Sequence, residues 1–274
     1  MIQDLESYIF RNEYHHQQPS VGDTTFVFQE RKILIKKQEE EITFPKYETL
    51  QGEKVNYIYL FSVGDEAYYL ADTKEVEVLE GYSWENMSVV RSLQPKYQAF
   101  AAITAYHLFN WYRSNQFCGS CGQPMIHSQK ERALCCRDCG NIVYPRISPS
   151  VIVGITDGNR LLMTRYAGRE SNRYGLVAGF CEIGEAAEET VAREVMEEVG
   201  LKVKNIRYYK SQPWGFSGDL LLGFFAEVDG SSEIVMDENE LSEATWMERE
   251  AISSEGDGIS LTSEMILLFK NQMR

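Results

Sequence analysis

No stretch of this 274-residue chain approaches the roughly 18 consecutive apolar residues that a membrane-crossing helix needs, so no membrane is expected among its partners. The opening MIQDLESYIFRNEYHH lacks a basic segment followed by an apolar one, so no secretory signal and a cytoplasmic location are expected. Positive charge is scarce. Against 41 Asp and Glu stand only 27 Lys and Arg, a formal net charge of -14. A broad electrostatic grip on nucleic acid is therefore excluded, because phosphate binding needs a basic surface. An anionic ligand whose charge is neutralised by metal ions remains compatible. Internal repeats and low-complexity linkers are also missing. What remains is ordinary globular composition, 43% hydrophobic and 25% charged, in a chain long enough for about two domains.

Residues 1 to about 110 carry β-rich patterns. FVFQERKILIKK and YIYLFSVGDEAYYLAD contain strand-like runs, the second broken by a Val-Gly-Asp turn. QPKYQAFAAITAYHLFNWYRSN follows, with apolar residues at 97, 100, 101, 108 and 111, a helical spacing. A cysteine-rich segment comes next, and an α/β pattern begins near Ile147. There SVIVGI-TDGN-RLLMTRY reads as a hairpin, KVKNIRYYK and DLLLGFFAEV as strands, and SLTSEMILLFKNQM as a terminal helix. The expected division is 1–113, β-rich and ending in a helix; 114–145, the cysteine segment; and 146–274, α/β.

Cys118-Gly-Ser-Cys121-Gly and Cys136-Arg-Asp-Cys139-Gly form two C-x-x-C-G knuckles. Four thiolates at this spacing suit one tetrahedral Zn²⁺ per chain, a closed and hence structural site. The glycine after each pair permits a tight turn where a side chain would crowd. A disulfide module is the alternative, disfavoured where thiols stay reduced. Cys135 is a rival third ligand but breaks the repeated spacing. His127 lies in the segment after four cysteines have filled the shell, and His15, His16 and His107 have no ligand spacing. Lys130 and Arg132, with Glu131 between them, supply too little positive charge for a nucleic-acid-binding ribbon.

The stretch 179–201, GFCEIGEAAEETVAREVMEEVGL, crowds glutamates onto one short helix. Glu194, Glu197 and Glu198 stand at i, i+3 and i+4 and share a face, while Val191, Val195 and Val199 form the opposite, apolar stripe. Gly200 supplies a helix stop. Like charges at i, i+4 repel by roughly 0.2–0.5 kcal/mol even when exposed. Arg193, four residues from Glu189 and from Glu197, relieves only part of this. Hard divalent cations with oxygen ligands would relieve the rest, and Mg²⁺ bridged to substrate phosphates is the usual case. A solvated acidic face is the bland alternative. It leaves unexplained the glycine-bearing loop Ala178-Gly179-Phe180-Cys181-Glu182-Ile183-Gly184-Glu185 that precedes the helix.

The same residues fit one ordered pattern, G-x5-E-x7-R-E-U-x-E-E-x-G-U with U apolar: Gly179, Glu185, Arg193, Glu194, Val195, Glu197, Glu198, Gly200 and Leu201. This resembles the Nudix box. The resemblance implies an α/β/α sandwich that hydrolyses a nucleoside diphosphate linked to another group. It implies Mg²⁺ or Mn²⁺ held by Glu194 and Glu198 with Glu197 beside them, Arg193 orienting the glutamate face, and Glu185 supporting the loop.

Two further stretches, Tyr144-Pro-Arg-Ile-Ser-Pro149 and Ser211-Gln-Pro-Trp-Gly-Phe216, together with a four-cysteine ribbon ahead of the box, resemble the NADH pyrophosphatase family from about residue 90 onward. Members split NAD(H) into nicotinamide mononucleotide and AMP, some remove NAD caps from RNA, and they are commonly homodimers. Residue by residue, the resemblance assigns Glu240 as a downstream metal ligand, with Glu243 its rival, and Ala178 as a backbone contact to metal or substrate. It assigns Arg91, Glu131, Tyr144, Thr262 and the run Gln212, Pro213, Trp214, Gly215, Phe216, Ser217, Gly218 and Asp219 to the substrate. The family motif is S-Q-P-W-P-F-P-x-S, so Gly215 and Ser217 replace prolines and Asp219 replaces a serine. Those departures favour a second reading, a pyrophosphatase acting on ADP-ribose or another nucleotide conjugate. A third is a non-catalytic nucleotide sensor with a zinc ribbon, against which the intact carboxylate set speaks.

Overall fold

The computed structural model describes residues 1–38, 41–50, 55–73, 79–168 and 173–271. Two compact units emerge, one of residues 2–146 with 215–217, the other of residue 1, 147–214 and 218–274.

In the first unit the aromatic-rich runs pair into two sheets. Asn56–Val63 and Glu66–Asp72 make a hairpin flanked by Phe10–Arg11 on one side and by Thr24–Phe26, in parallel, on the other. Phe28–Gln29, Lys32–Gln38, Glu41–Thr43 and Ser83–Asn86 form the second sheet. The helix Lys96–Ser114 buries Ala99, Phe100, Ala101, Ala102, Ile103, Ala105 and Tyr106 in succession. It is apolar nearly all round, which marks a core helix rather than a surface one. Met125–His127, Leu134–Cys136 and Ile142–Val143 complete the unit as a small antiparallel ribbon.

The second unit is a mixed six-stranded sheet with a helix on each face. Its order is Val203–Trp214, Asp219–Val228, Ser148–Asp157, Arg160–Tyr166 and Leu241–Glu248, with Val177–Phe180 also paired to Ser148–Asp157. Alternation along the central strand sends Val151, Val153 and Ile155 to one face, where Val191, Val195 and Val199 of the helix Ala187–Val199 cover them. Ile152 points to the other face and meets Leu261, Met265 and Phe269 of the helix Leu261–Lys270. The expected apolar stripe is thus the buried one, and all three of its valines are fully buried.

Two elements differ from expectation. The hairpin SVIVGI-TDGN-RLLMTRY pairs at its turn through Thr156↔Leu161 and Asp157↔Arg160. Its arms then diverge, one to Asp219–Val228 and the other to Leu241–Glu248. The strand read from KVKNIRYYK does not end at Lys210 but runs on through Ser211–Trp214, with Pro213 opposite Leu220. This is an edge strand of the sheet, where a missing N–H is tolerated. The terminal helix, expected over 260–273, runs Leu261–Lys270 with Ser260 as its cap; residues past 271 lie outside the described residues. Among the described residues no helix is long and apolar enough to cross a membrane.

Candidate active site and metal centre

The acidic helix begins at Ala187, where Glu189 accepts the Ala186 N–H at 2.8 Å, and stops at Gly200 in a left-handed conformation with φ 68°. Its terminal carbonyls are satisfied from outside: Val235 N–H donates to Val199 at 3.0 Å and Asp237 N–H to Glu198 at 2.9 Å. That anchoring carries the following residues, Glu240 among them, to the helix end.

Arg193 organises the face. Its Nε and Nη2 grip both oxygens of Glu185 at 2.7 and 2.9 Å, and Nη1 reaches Glu194 at 2.7 Å and Glu197 at 2.9 Å. Nη2 also donates to the carbonyl of Phe180 at 2.9 Å, which ties the helix to the loop before it. Thr190 Oγ and the Glu182 N–H add further donors to Glu185. This fork, led by Arg193, pulls the Glu185 carboxyl down to about 2 and raises the guanidinium in return.

The remaining carboxylates are placed differently. Glu198 is 1% exposed and is buried with Thr190, Val191, Val195 and Val199, so the valine stripe is beside it and not opposite as expected. Glu194 is 12% exposed and Glu197 58%. Burial raises the Glu194 pKa; Arg193 opposes this, while Glu197 and Glu240 reinforce it by repulsion. Glu194 and Glu240 are therefore electrostatic neighbours, although 46 residues apart in number. Glu243, the rival, is committed elsewhere: it takes Arg165 Nη1 and the Tyr174 hydroxyl, each at 2.7 Å. Gly179 completes the cradle, since a Cβ built there would fall on the Glu194 carboxylate itself. Crowded, partly dry carboxylates beside an open backbone fit a hard divalent cation.

In the first unit the sulfurs of Cys118, Cys121, Cys136 and Cys139 lie within 4.8 Å of one another. Cys118 and Cys139 are 3.5 Å apart, Cys121 and Cys136 3.4 Å. The Ser120 N–H, first among several donors, draws Cys118 down to about 6. Cys121 is pushed up to about 12: the Gln123 N–H favours its thiolate, but the neighbouring sulfurs outweigh it. Such a quartet sheds its last protons only to a cation, and four sulfurs fit zinc. Cys135 lies between Ile126 and Ile142 on the ribbon strands and is not in the cluster. Gly122 and Gly140 have φ 76° and 74°, and a Cβ at either would meet nothing within 4 Å. The turn therefore needs glycine for its left-handed backbone, not to avoid the crowding expected.

Residues 146–267 match the NUDIX domain model, 113–144 the NADH pyrophosphatase zinc ribbon domain, and 22–111 the NADH pyrophosphatase-like rudimentary NUDIX domain. The NUDIX match therefore covers the part of the chain that carries the glutamate helix. The NAD-capped RNA hydrolase NudC of Salmonella typhi and that of Citrobacter koseri are each 48% identical to it over 139 residues, 51% of this chain and 54% of theirs. The chain thus spans about half the length of the curated relatives it matches. A crystal structure of a NUDIX hydrolase from Nitrosomonas europaea aligns with TM-score 0.44 at 22% identity, covering 50% of this chain and 80% of that one. The N-terminal match extends the resemblance well before residue 90, where the motifs alone carried it.

The substrate assignments fall into two groups. Within the Nudix domain, Ala178 lies on Val177–Phe180, directly before the Gly179 cradle. Gln212 is fully buried, with Nε2 donating to the Ile259 carbonyl at 2.8 Å and Oε1 accepting the Leu261 N–H at 2.7 Å. It clamps the start of the terminal helix, next to Thr262. Trp214 pairs with Asp219 across the hairpin, and Asp219 is buried. Within the N-terminal unit, the Arg91 guanidinium sits 4.7 Å over the ring of Phe216, and the Tyr144 hydroxyl donates to Glu131 at 3.0 Å. Gly215 passes so close to the helix Lys96–Ser114 that a Cβ would be 2.5 Å from the Ile103 carbonyl oxygen. Ser217 is exposed. Arg132 is half-buried and bonded to Asn12 and to the Leu60 carbonyl, so it adds little to a basic surface.

Sequence reasoning missed the Thr190 and Phe180 contacts, the clamp made by Gln212, and the anchoring of 235–237. Nearly all of them run to backbone groups or to residues outside the repeated spacing, for which side-chain spacing carries no signal.

Proposed function

We propose that the chain is a divalent-metal-dependent hydrolase of the diphosphate in NAD(H), releasing nicotinamide mononucleotide and AMP, and that it cleaves the same bond in RNA bearing a 5′ NAD. The single observation that carries hydrolysis is the Arg193 fork. It orders Glu185, Glu194 and Glu197 around one guanidinium, while Glu198 is buried and Glu240 is close enough to repel Glu194. The NAD side is supported by the names of the ribbon and N-terminal domains and of the relatives matched over about half their length.

Glu194, Glu198, Glu240 and the Ala178 carbonyl would hold Mg²⁺ or Mn²⁺, which supplies charge neutralisation at the diphosphate and a more acidic bound water. Arg193 fixes the direction of the carboxylates before substrate arrives, so little reorganisation remains for the reaction. Water oxygen bonds to one phosphorus, the bridging P–O bond breaks, and the leaving phosphate keeps the bridging oxygen. The carboxylate face receives the proton lost by water. Arg91, Glu131, Tyr144, Thr262 and 212–219 are assigned to substrate contact, and Cys118, Cys121, Cys136 and Cys139 to one structural zinc. The reading includes a cytoplasmic setting, in which those thiols stay reduced, and a homodimer. An exposed apolar row on the ribbon, Ile126 and Ile142 flanking Cys135, supports the dimer.

The test compares catalytic efficiency on NADH, NAD⁺, NAD-capped RNA and ADP-ribose with Mg²⁺ or Mn²⁺, in the wild type and in Glu198→Gln. The variant is expected to fold and lose hydrolysis; full activity would overturn the mechanism. A clear preference for ADP-ribose would transfer the reading to that substrate, which the replacements at Gly215, Ser217 and Asp219 favour. Tight nucleotide binding without turnover under any metal would replace the enzyme by a sensor.

A further inference from the structure

The geometry points to Tyr166 as a positioning residue for the divalent cation, acting through the carbonyl of Ala178. The inference rests on the reading that Ala178 and Glu240 hold that ion. Arg160–Tyr166 runs antiparallel to Leu241–Glu248, and the register slips between Arg165 and Tyr166. A bulge of this kind bends a strand and re-aims its side chains. Just past it, the Ala167 N–H donates to the Glu240 carbonyl at 2.8 Å. The Tyr166 ring packs half-buried against the core that includes Val191, Val195 and Val199. Its hydroxyl lies 3.2 Å from the Leu176 carbonyl and 3.4 Å from that of Ala178. Two consecutive residues therefore hold the backbone of both Ala178 and Glu240, which lie far apart in the sequence.

The Ala178 carbonyl belongs to the peptide that leads into Gly179, against which the Glu194 carboxylate lies. Both hydroxyl distances exceed the roughly 2.7–2.8 Å of a committed O–H···O bond. One proton is thus shared between two carbonyls. A carbonyl oxygen has two lone pairs, so this donation leaves a second one for a cation while restraining the peptide from turning. Groups that orient a ligand in this way typically contribute about 10–100-fold in metal affinity. A buried tyrosine whose hydroxyl merely finds a backbone partner would contribute to stability alone.

Mn²⁺ binding to the zinc-loaded full chain, measured by electron paramagnetic resonance without substrate, separates the two. Tyr166→Phe keeps the ring and removes the hydroxyl; Tyr208→Phe, at an exposed tyrosine on Val203–Trp214, is the comparison. Weakening by about tenfold in Tyr166→Phe alone is expected. Unchanged affinity, with or without a lower melting temperature, would overturn the role of Tyr166 and leave the hydrolase reading standing. Absence of Mn²⁺ binding in the wild type itself would overturn both.

Discussion

The carboxylate of Glu194 occupies the space that any side chain at residue 179 would need, so Gly179 and Glu194 are two halves of one feature. The box glycine is required less for its backbone freedom than for the anion laid against it. This also places Glu194 beside the Ala178–Gly179 peptide, where a backbone carbonyl and a carboxylate can serve one ion.

Gly179→Ala is therefore expected to spare the fold and damage the site. The clash falls on the far end of a flexible side chain, which can swing aside without moving the sheet. A carboxylate displaced by about 1 Å costs on the order of 10²-fold in rate. Steady-state kinetics with NADH, read beside a melting curve, check this. Full activity in the variant would show that Glu194 works from another position.

The Arg193–Glu185 pair predicts a pH dependence of stability. Glu185 sits at about 2 in the folded chain against an ordinary 4.5, so folding favours its charged form. The stabilisation is fully present above about 4.5 and is lost as pH falls towards about 2. Glu185→Gln should lower the melting temperature at neutral pH, and the gap from wild type should close on acidification. A gap independent of pH would mean that the pair contributes through packing rather than charge.

Much of the site was legible before the fold, and much of the fold was not. The glutamate face and the valine stripe follow from 3.6-residue periodicity within 13 residues, and the cysteine quartet from local spacing. Partner choice is non-local and leaves little trace. Thr24–Phe26 pairs in parallel with Glu66–Asp72, and the arms of the hairpin at 156–161 each leave for a strand far along the chain. The strand read from KVKNIRYYK runs on through Pro213, where an edge position tolerates the missing N–H and the Gln212 clamp holds the segment. The proposed preference for Glu240 over Glu243 comes from the resemblance alone, not from spacing. Spacing could not have told that Arg165 and Tyr174 engage Glu243, the contacts that now support that preference.

Zinc removal gives a third prediction. Purified protein should contain about one zinc per chain, and Cys118→Ser or Cys136→Ser should lose it, whereas Cys135→Ser should not. Both of the first two sulfurs belong to buried residues, so stripping the ion would leave mutually repelling thiolates in the ribbon. Elemental analysis of the three variants decides it. Zinc lost from Cys135→Ser would make Cys135 a ligand after all.

Gly215 yields the last prediction, because two arguments about it point in opposite directions. By the family pattern a proline belongs there, and restoring it would be expected to stiffen the hairpin tip and stabilise the fold. The packing says otherwise. A Cβ at 215 would stand 2.5 Å from the Ile103 carbonyl oxygen and 3.2 Å from His107 Cβ, and the first of these is helix backbone that cannot rotate away. Proline carries that Cβ as surely as alanine does. Both Gly215→Pro and Gly215→Ala should therefore destabilise, by about 1–3 kcal/mol in the manner of an overpacked core. Equilibrium unfolding of the pair checks the sign. If Gly215→Pro proved more stable than the wild type, the close approach to the helix would be refuted and the glycine would be only a loosened form of the family's turn.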